Sequence, residues 1–335
     1  MESEIRGWVY LDQNVLGQFL PDANASDLMR RLLLGLRNLG AVPVYSMTTV
    51  DECRAYGEPE KFAQILEEIG AGFIGKQDAA ANALTVSFGR TRELILAPEC
   101  IWDATARMME RPRFTLQLAL GFLTLTEAEG LRSELLEANA DYWHRFGTEI
   151  GDAEGEFAVM GLLSPTEATR QLRALLERTI HDLPLQKLDK EREAKLDRQR
   201  KRVEGSRETL KAKPVEDRVD FFLSLLDPEA KDDLVEKFPK GFWADPANRQ
   251  DGNLTAFAFT LYGYGLVGHR KARSGDVNAR QGRFLAQFRD CQHIEEAARC
   301  GLFVTFDKDA ANLAEAVYAY AGVPTTVVQV ALEPS

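Results

Sequence analysis

Four acidic residues stand where short apolar runs end or where the helices next to them begin. Asp12 directly follows GWVYL (7–11), and Asp307 follows LFVTF (302–306). Glu52, with Asp51 beside it, comes just after AVPVYS (41–46), and Asp290 lies within FLAQFRDCQHIEEAARC (284–300). If the runs are strands of a parallel sheet, Asp12 and Asp307 sit at its carboxyl edge, where open α/β sheets bind ligands. The helix carrying Glu52 starts at that same edge, and Asp290 joins it if the N-terminal part of its own helix reaches there. Convergent carboxylates repel one another, and burying them uncompensated is costly or forces protonation. A hard divalent cation removes the conflict: Mg²⁺ or Mn²⁺ takes oxygen ligands, keeps several waters and bridges to phosphate. Such an ion activates water and stabilises the oxygens of a cleaved phosphodiester. The chemistry these residue types could perform is therefore metal-assisted phosphodiester hydrolysis.

Charge is unevenly distributed, which gives that chemistry a second component. The 335-residue chain carries a formal net charge of −11. Two short segments, Lys187 to Lys213 and His269 to Arg289, are each net +5, which leaves −21 for everything else. The second contains Arg270, Lys271, Arg273, Arg280, Arg283 and Arg289, running up to Asp290, with Tyr262, Tyr264 and Phe284 nearby. Guanidinium groups suit phosphate because their planar donors pair with its oxygens, and aromatic rings stack on bases. The same rings also have the character of core residues, and the Lys187–Lys213 run reads equally as a solvated helix face.

Other chemistries fit less well. Cys291, His293 and Cys300 lie on one stretch, but their spacing is not that of a zinc site and a fourth ligand is missing. His293 reads as a helix-face residue or one supporting the acids. His144, His181 and His269 show no metal or triad context, and no GxxxxGK[ST] loop exists. Singly, each acid has an ordinary structural role as well: Asp12 and Asp307 as caps, Glu52 or Asp51 as complement to a helix dipole.

The elements that must position these residues alternate. Strand 7–11 is followed by a helix that starts after Ser26 and stops at Gly40. A strand at 41–46 precedes a helix for which Thr48 and Asp51 have capping-box spacing, placing Glu52 in its first turn. A further helix runs from the Gly57/Pro59 break to Gly70, and GFIG reads as a third strand. After residue 285 the alternation resumes as helix, strand LFVTF, helix 308–320 and strand TTVVQV. Strands alternating with helices imply α/β architecture with a parallel sheet covered on both faces. Between about 95 and 285 strand candidates nearly vanish, and Ser164-Pro165-Thr166-Glu167 marks one of several helix starts. Leu188, Leu196, Val203 and Leu210 recur too sparsely for a coiled-coil seam. Composition, 45% hydrophobic and without a low-complexity tract, excludes collagen-like and disordered classes. The longest apolar stretch, Phe114 to Leu125, is too short to cross a bilayer. The basic-poor start MESEIRGW and the lack of CxxC pairs predict a cytoplasmic protein with free thiols.

At these residues the chain resembles the PIN-like metal-dependent nucleases. VYLDQN is similar to that family's first strand and Asp-x-Asn, and VYSMTTVDE to its second strand and acidic helix turn. RDCQHIEEAARCGLFVTFDKD resembles its Asp-bearing helix and the strand ending in Thr-x-Asp. The resemblance spans about residues 5–75 and 284–330. It implies a three-layer α/β/α core with a central, mostly parallel sheet, split between 1–95 and 285–335, with residues 96–284 as a large helical insertion that binds substrate or a partner. It implies Asp12, Glu52, Asp290 and Asp307 as metal-holding catalytic acids, Asn14 and Thr305 as their supports, and Asp309 as a further acid. The implied activity is Mg²⁺- or Mn²⁺-dependent hydrolysis of nucleic acid, RNA more often than DNA. Two alternatives stand beside it. One is a nucleic-acid-binding or interaction module without turnover. The other is a haloacid-dehalogenase-like phosphohydrolase, whose DxDx[TV] start Asp12-Gln13-Asn14-Val15 only partly matches, because Asn14 replaces the proton-transferring acid.

Overall fold

The computed structural model describes residues 7–20, 26–38, 40–75, 85–96, 190–249, 252–267 and 276–331, together with isolated positions between 117 and 174. The chain divides into two compact units. One comprises residues 1–97, 198–272 and 282–335, and the other 98–197 and 273–281. The capping motif at Ser164 and the segment Phe114 to Leu125 lie largely or wholly outside the described residues.

The first unit is built on a six-stranded sheet of order β4-β3-β2-β1-β5-β6. Its strands are β1 (Trp8–Leu11), β2 (Val42–Tyr45), β3 (Gly72–Ile74), β4 (Val86–Ser87), β5 (Leu302–Thr305) and β6 (Thr326–Gln329). All neighbours run parallel except β3 and β4, which are antiparallel. The three central strands are buried along nearly their whole length, as expected where both faces are covered. Short β4 at the edge had no sequence signal, since two residues carry no period. Gly72 lets it approach: a Cβ there would lie 2.3 Å from Val86 Cγ1.

Three helices matter for the site. Helix α1 (Gln13–Leu16) starts immediately after β1, α2 (Ser26–Asn38) returns to the sheet through Gly40 at φ +73°, and α3 (Met47–Ala55) follows β2. The capping box of α3 is not Thr48 with Asp51 but Ser46 with Thr49, each side chain bonding the other's backbone N–H. The helix therefore starts earlier, and Glu52 falls in its second turn. Thr48 is buried and serves elsewhere, donating to Glu296 at 3.0 Å. Helix α4 (Pro59–Glu68) opens on proline, as the break at Gly57/Pro59 predicts, and short α5 (Thr91–Ile95) follows β4.

From residue 190 to 285 every described element is helical: α6 (Lys190–Gly205), α7 (Arg207–Ala212), α8 (Val215–Leu225), α9 (Pro228–Lys237), two short 3₁₀ turns, α10 (Asn253–Tyr264) and the start of α11 (Val277–Ala297). Helices α8 and α10 pack against α12 (Lys308–Ala321), the helix between β5 and β6. The contact is aromatic, with Phe257 stacked on Tyr320 at 5.2 Å between ring centres. The thin apolar stripe of α6 is used in full where it is described: Leu196, Val203 and, on α7, Leu210 are buried. Arg200 is buried with them and donates Nε–H to the Gly263 carbonyl at 2.8 Å. Among the described residues no helix is long and apolar enough to cross a membrane.

Helix α11 joins the sheet to the helices before it through Glu295. This buried carboxylate accepts from the backbone N–H groups of Gly252 (2.6 Å) and Thr255 (2.7 Å), capping α10 from outside its own chain segment. Truncation would leave two donors unpaired, that of Thr255 buried and that of Gly252 partly so. We expect Glu295→Ala to lower unfolding stability by on the order of 3 kcal/mol, with Glu295→Gln intermediate, in urea denaturation. An alanine variant as stable as the parent would show that the cap contributes nothing.

Candidate metal centre

β1 lies between β2, which follows it in the chain, and β5, which comes almost 300 residues later. The chain leaves β1 toward β2 and leaves β5 toward β6 on the opposite side, so the carboxyl ends of β1 and β5 flank the switch point of the sheet. Asp12 occupies the β1 end. Its backbone N–H continues the β1–β5 ladder to Val304 O at 3.1 Å. It holds the N-cap position of α1, but its side chain makes no capping bond. Instead Oδ2 accepts from the Thr305 hydroxyl and from Asn14 Nδ2, both at 2.7 Å. Asn14 in turn donates to Thr305 Oγ1 at 3.2 Å and accepts from the Phe306 N–H at 3.0 Å. The two residues expected to support Asp12 therefore hold one of its oxygens, Asn14 from α1 and Thr305 from the end of β5.

The other oxygen, Oδ1, lies 3.8 Å from His293 Nε2, which is 2.7 Å from Glu52 Oε2. Asp12, Glu52 and His293 each offer a ligand atom within 4.8 Å of the others. Glu52 is the acid that faces this cluster. Asp51 faces away and accepts from Arg289 at 2.8 Å, which separates the two adjacent candidates.

The electrostatics follow from burial and neighbours. His293 is 1% exposed, and burial alone would drive its pKa down. Glu52, Asp12 and Glu296 outweigh that and push it up to about 10, so the imidazole carries charge at neutral pH. Burial pushes Glu52 up, but His293 and Arg289 overcome it and hold the carboxyl below its ordinary value. Burial raises Asp12, with His293 and the Thr305 hydroxyl opposing and Glu52 adding. Asp290 is raised furthest: burial first, then repulsion from Asp12 and Asp307, with His293 opposing and Glu52 adding. Asp290 thus feels each of the other three expected acids. Asp290 has no ion pair or side-chain hydrogen bond among the described residues.

Asp307 is more exposed and does what an N-cap does: Oδ1 accepts from the Asp309 and Ala310 N–H groups at 2.7 and 2.9 Å. Its own N–H bonds Thr305 Oγ1 at 3.0 Å, tying the cap to the residue that holds Asp12. Asp309 is exposed in the first turn of α12.

Tyr10 and Glu296 complete the cluster, and sequence reading passed over both. The buried Tyr10 hydroxyl meets His293 Nδ1 at 2.7 Å and donates to Glu296 Oε2 at 2.8 Å. Glu296 also accepts from the Ser46 and Thr48 hydroxyls. A line therefore runs from Glu52 through His293 and Tyr10 to Glu296, fixing the imidazole at both nitrogens. A signal was present in the spacing: Asp290 and His293 are three apart, so they share one face of α11.

The expected nucleic-acid contacts fall differently. Arg270, Lys271 and Arg273 lie outside the described residues. Arg280 is ion-paired with Glu127, Arg283 is half-buried and Arg289 pairs with Asp51. Phe284 and Tyr262 are buried, Phe284 in a cluster with Phe259 and Phe288, so neither ring is open to a base. Cys53, Cys291 and Cys300 are buried free thiols, and among the described residues none joins His293 in a metal-ligand cluster.

The donor set suits a divalent cation. Three carboxylates concentrate charge around Asp290 that one imidazolium only partly offsets, and Asp12 and Glu52 present oxygens within reach of a common point. What fold and cluster define together is an α/β protein with an acidic crevice at the switch point of a mostly parallel sheet. No protein-family model, curated protein or solved structure matches the chain.

A carboxyl whose folded pKa is raised binds its proton more tightly in the folded than in the unfolded chain. Stability therefore falls as pH climbs from the unfolded carboxylate value, about 3.9, through the folded one, and the ionised form is a standing cost above it. In EDTA at pH 7 we expect Asp290→Asn to be more stable than the parent by on the order of 1 kcal/mol, and to gain less from added Mn²⁺. Equal or lower stability of the variant in EDTA would mean that no uncompensated charge resides at Asp290.

Proposed function

We propose that the protein is a metal-dependent nuclease of the PIN-like type, hydrolysing nucleic-acid phosphodiester bonds, with RNA favoured over DNA. The observation that supports this reading is that Asp12 and Glu52, with His293, offer ligand atoms within 4.8 Å of one another, while Asp12, Asp307 and Glu52 all act on the charge of Asp290. Asp12, Glu52, Asp290 and Asp307 would hold Mg²⁺ or Mn²⁺, and such an ion supplies activation of water and charge stabilisation at the phosphodiester oxygens.

The chain's own residues do the positioning. Asn14 and Thr305 fix Asp12 Oδ2 and so aim the other oxygen at the crevice. Protonated His293 holds Glu52, and Tyr10 keeps the ring from turning. The α12 cap holds Asp307 through one oxygen only. A phosphohydrolase using Asp12 as nucleophile is disfavoured, because Asn14 spends its side chain on Asp12 and Phe306 and has no proton to transfer as an acid.

The test is cleavage of end-labelled single- and double-stranded RNA and DNA in Mg²⁺, Mn²⁺ or EDTA. Metal-dependent cutting by the parent, abolished in Asp12→Asn and Glu52→Gln, is the expected result. Thr305→Ala should retain cutting but weaken the metal requirement's half-saturation by about 10- to 100-fold. A folded protein that binds Mn²⁺ yet cuts none of these substrates would sink the nuclease reading and leave a binding module.

A further inference from the structure

At the first turn of α12, starting one residue past Asp307, lies a cavity of about 560 Å³ lined by Arg207, Lys211, Arg218, Lys308, Asp309 and Asn312 over an apolar floor that includes Leu210 and Leu266. We infer that this cavity is a phosphate-binding subsite that seats one nucleotide of a single-stranded nucleic acid next to the acids. The inference rests on the nuclease reading and extends it to where the substrate strand lies.

Four cations face one carboxylate in the lining. Two of them occupy positions that helix formation alone disfavours. Arg207 is the first residue of α7 and Lys308 the first of α12. A cation in the first turn opposes the helix dipole, which favours acids there. Neither has a carboxylate within ion-pair distance among the described residues, although Arg207 donates to the Val267 carbonyl at 3.2 Å. Lys211 and Arg218 are loosely engaged, Lys211 with exposed Glu208 at 3.0 Å and Arg218 with Glu315 at 3.7 Å. Such pairs are weak and yield readily to a better anion.

The cavity and Asp307 are contiguous through the first turn of α12. Asp309 lines the cavity, and its carboxyl feels Asp307 on one side and Arg207, Lys308 and Lys211 on the other. A strand whose phosphate rests on Arg207 and Lys308 is thereby led to the first turn of α12, where Asp307 stands. The apolar floor accommodates sugar or base, and a concavity of this size takes a single strand and not a duplex. Two of the cations, Arg207 and Lys211, come from the basic run 187–213, which is thus only in part a solvated face.

The experiment measures binding of a fluorescent single-stranded oligonucleotide to the full chain in EDTA across salt concentrations, and metal-dependent cleavage in parallel. For the double variant Arg207→Ala/Lys308→Ala we expect at least about tenfold weaker binding at 0.1 M salt. The slope of log K against log salt should drop by roughly 1.4, about 0.7 for each lost contact. Arg207→Lys/Lys308→Arg should bind as the parent does, which separates charge from folding. Arg90→Ala, beyond the opposite edge strand, controls for net charge and should change neither quantity. Unchanged affinity and slope in the double alanine variant overturn the subsite; continued metal-dependent cleavage in that case leaves the nuclease reading standing. A parent that binds no oligonucleotide also overturns it, and absence of cleavage as well removes the reading on which it rests.

Discussion

Everything at the switch point depends on one buried ion pair, that of His293 with Glu52. Without it, Asp12, Glu52 and Asp290 would add negative charge to a crevice from which burial has already removed most water, and protonation or unfolding would relieve it. The imidazolium supplies one positive charge, anchored through Tyr10 to Glu296 on the far side. One charge does not balance three acids, and the imbalance falls on Asp290. The arrangement is therefore stable enough to form with no ion and still deficient in positive charge. A cation-binding centre requires both properties.

Helix α11 sets the distances. Asp290, His293, Glu295 and Glu296 follow one another within seven residues and address four different neighbours. Asp290 faces the acids, His293 reaches Glu52, Glu295 caps α10 and Glu296 takes the hydroxyls of Ser46, Thr48 and Tyr10. A rotation of α11 that improved one contact would break the others. Its angular setting is consequently over-determined, and the helices from 198 onward, packed on α12 and tied to Glu295, share in fixing the acids.

Much of this was legible in the sequence where physics is local. Strand ends fixed by Asp12 and Asp307, the stop at Gly40 and the proline start of α4 depend on neighbours in the chain, and the alternation of apolar runs gave the α/β sheet. Asn14 and Thr305 followed from resemblance rather than from periodicity. What could not be read is what depends on partners remote in sequence. Ser46 caps α3 and, like Thr48, donates to Glu296, 250 residues away, a partner that no local pattern announces. Tyr10 looked like strand core because its ring is core; only its hydroxyl belongs to the cluster. His293 read as a helix-face residue or one supporting the acids, but no single-chain pattern announces an imidazole charged by acids from two other elements.

Asp307 shows why a structural and a chemical role need not compete. The residue was equally readable as a helix cap or as a metal-holding acid, and it does cap α12. The cap uses Oδ1 alone, for two N–H groups, and leaves Oδ2 outside it. Its backbone N–H bonds the same Thr305 hydroxyl that donates to Asp12, so the cap and the Asp12 carboxylate share one anchor at the end of β5. Two acids more than 290 residues apart are thus set at a fixed separation by a single threonine side chain. Capping is then the means by which the fold holds the second acid in place, with an oxygen left for a ligand.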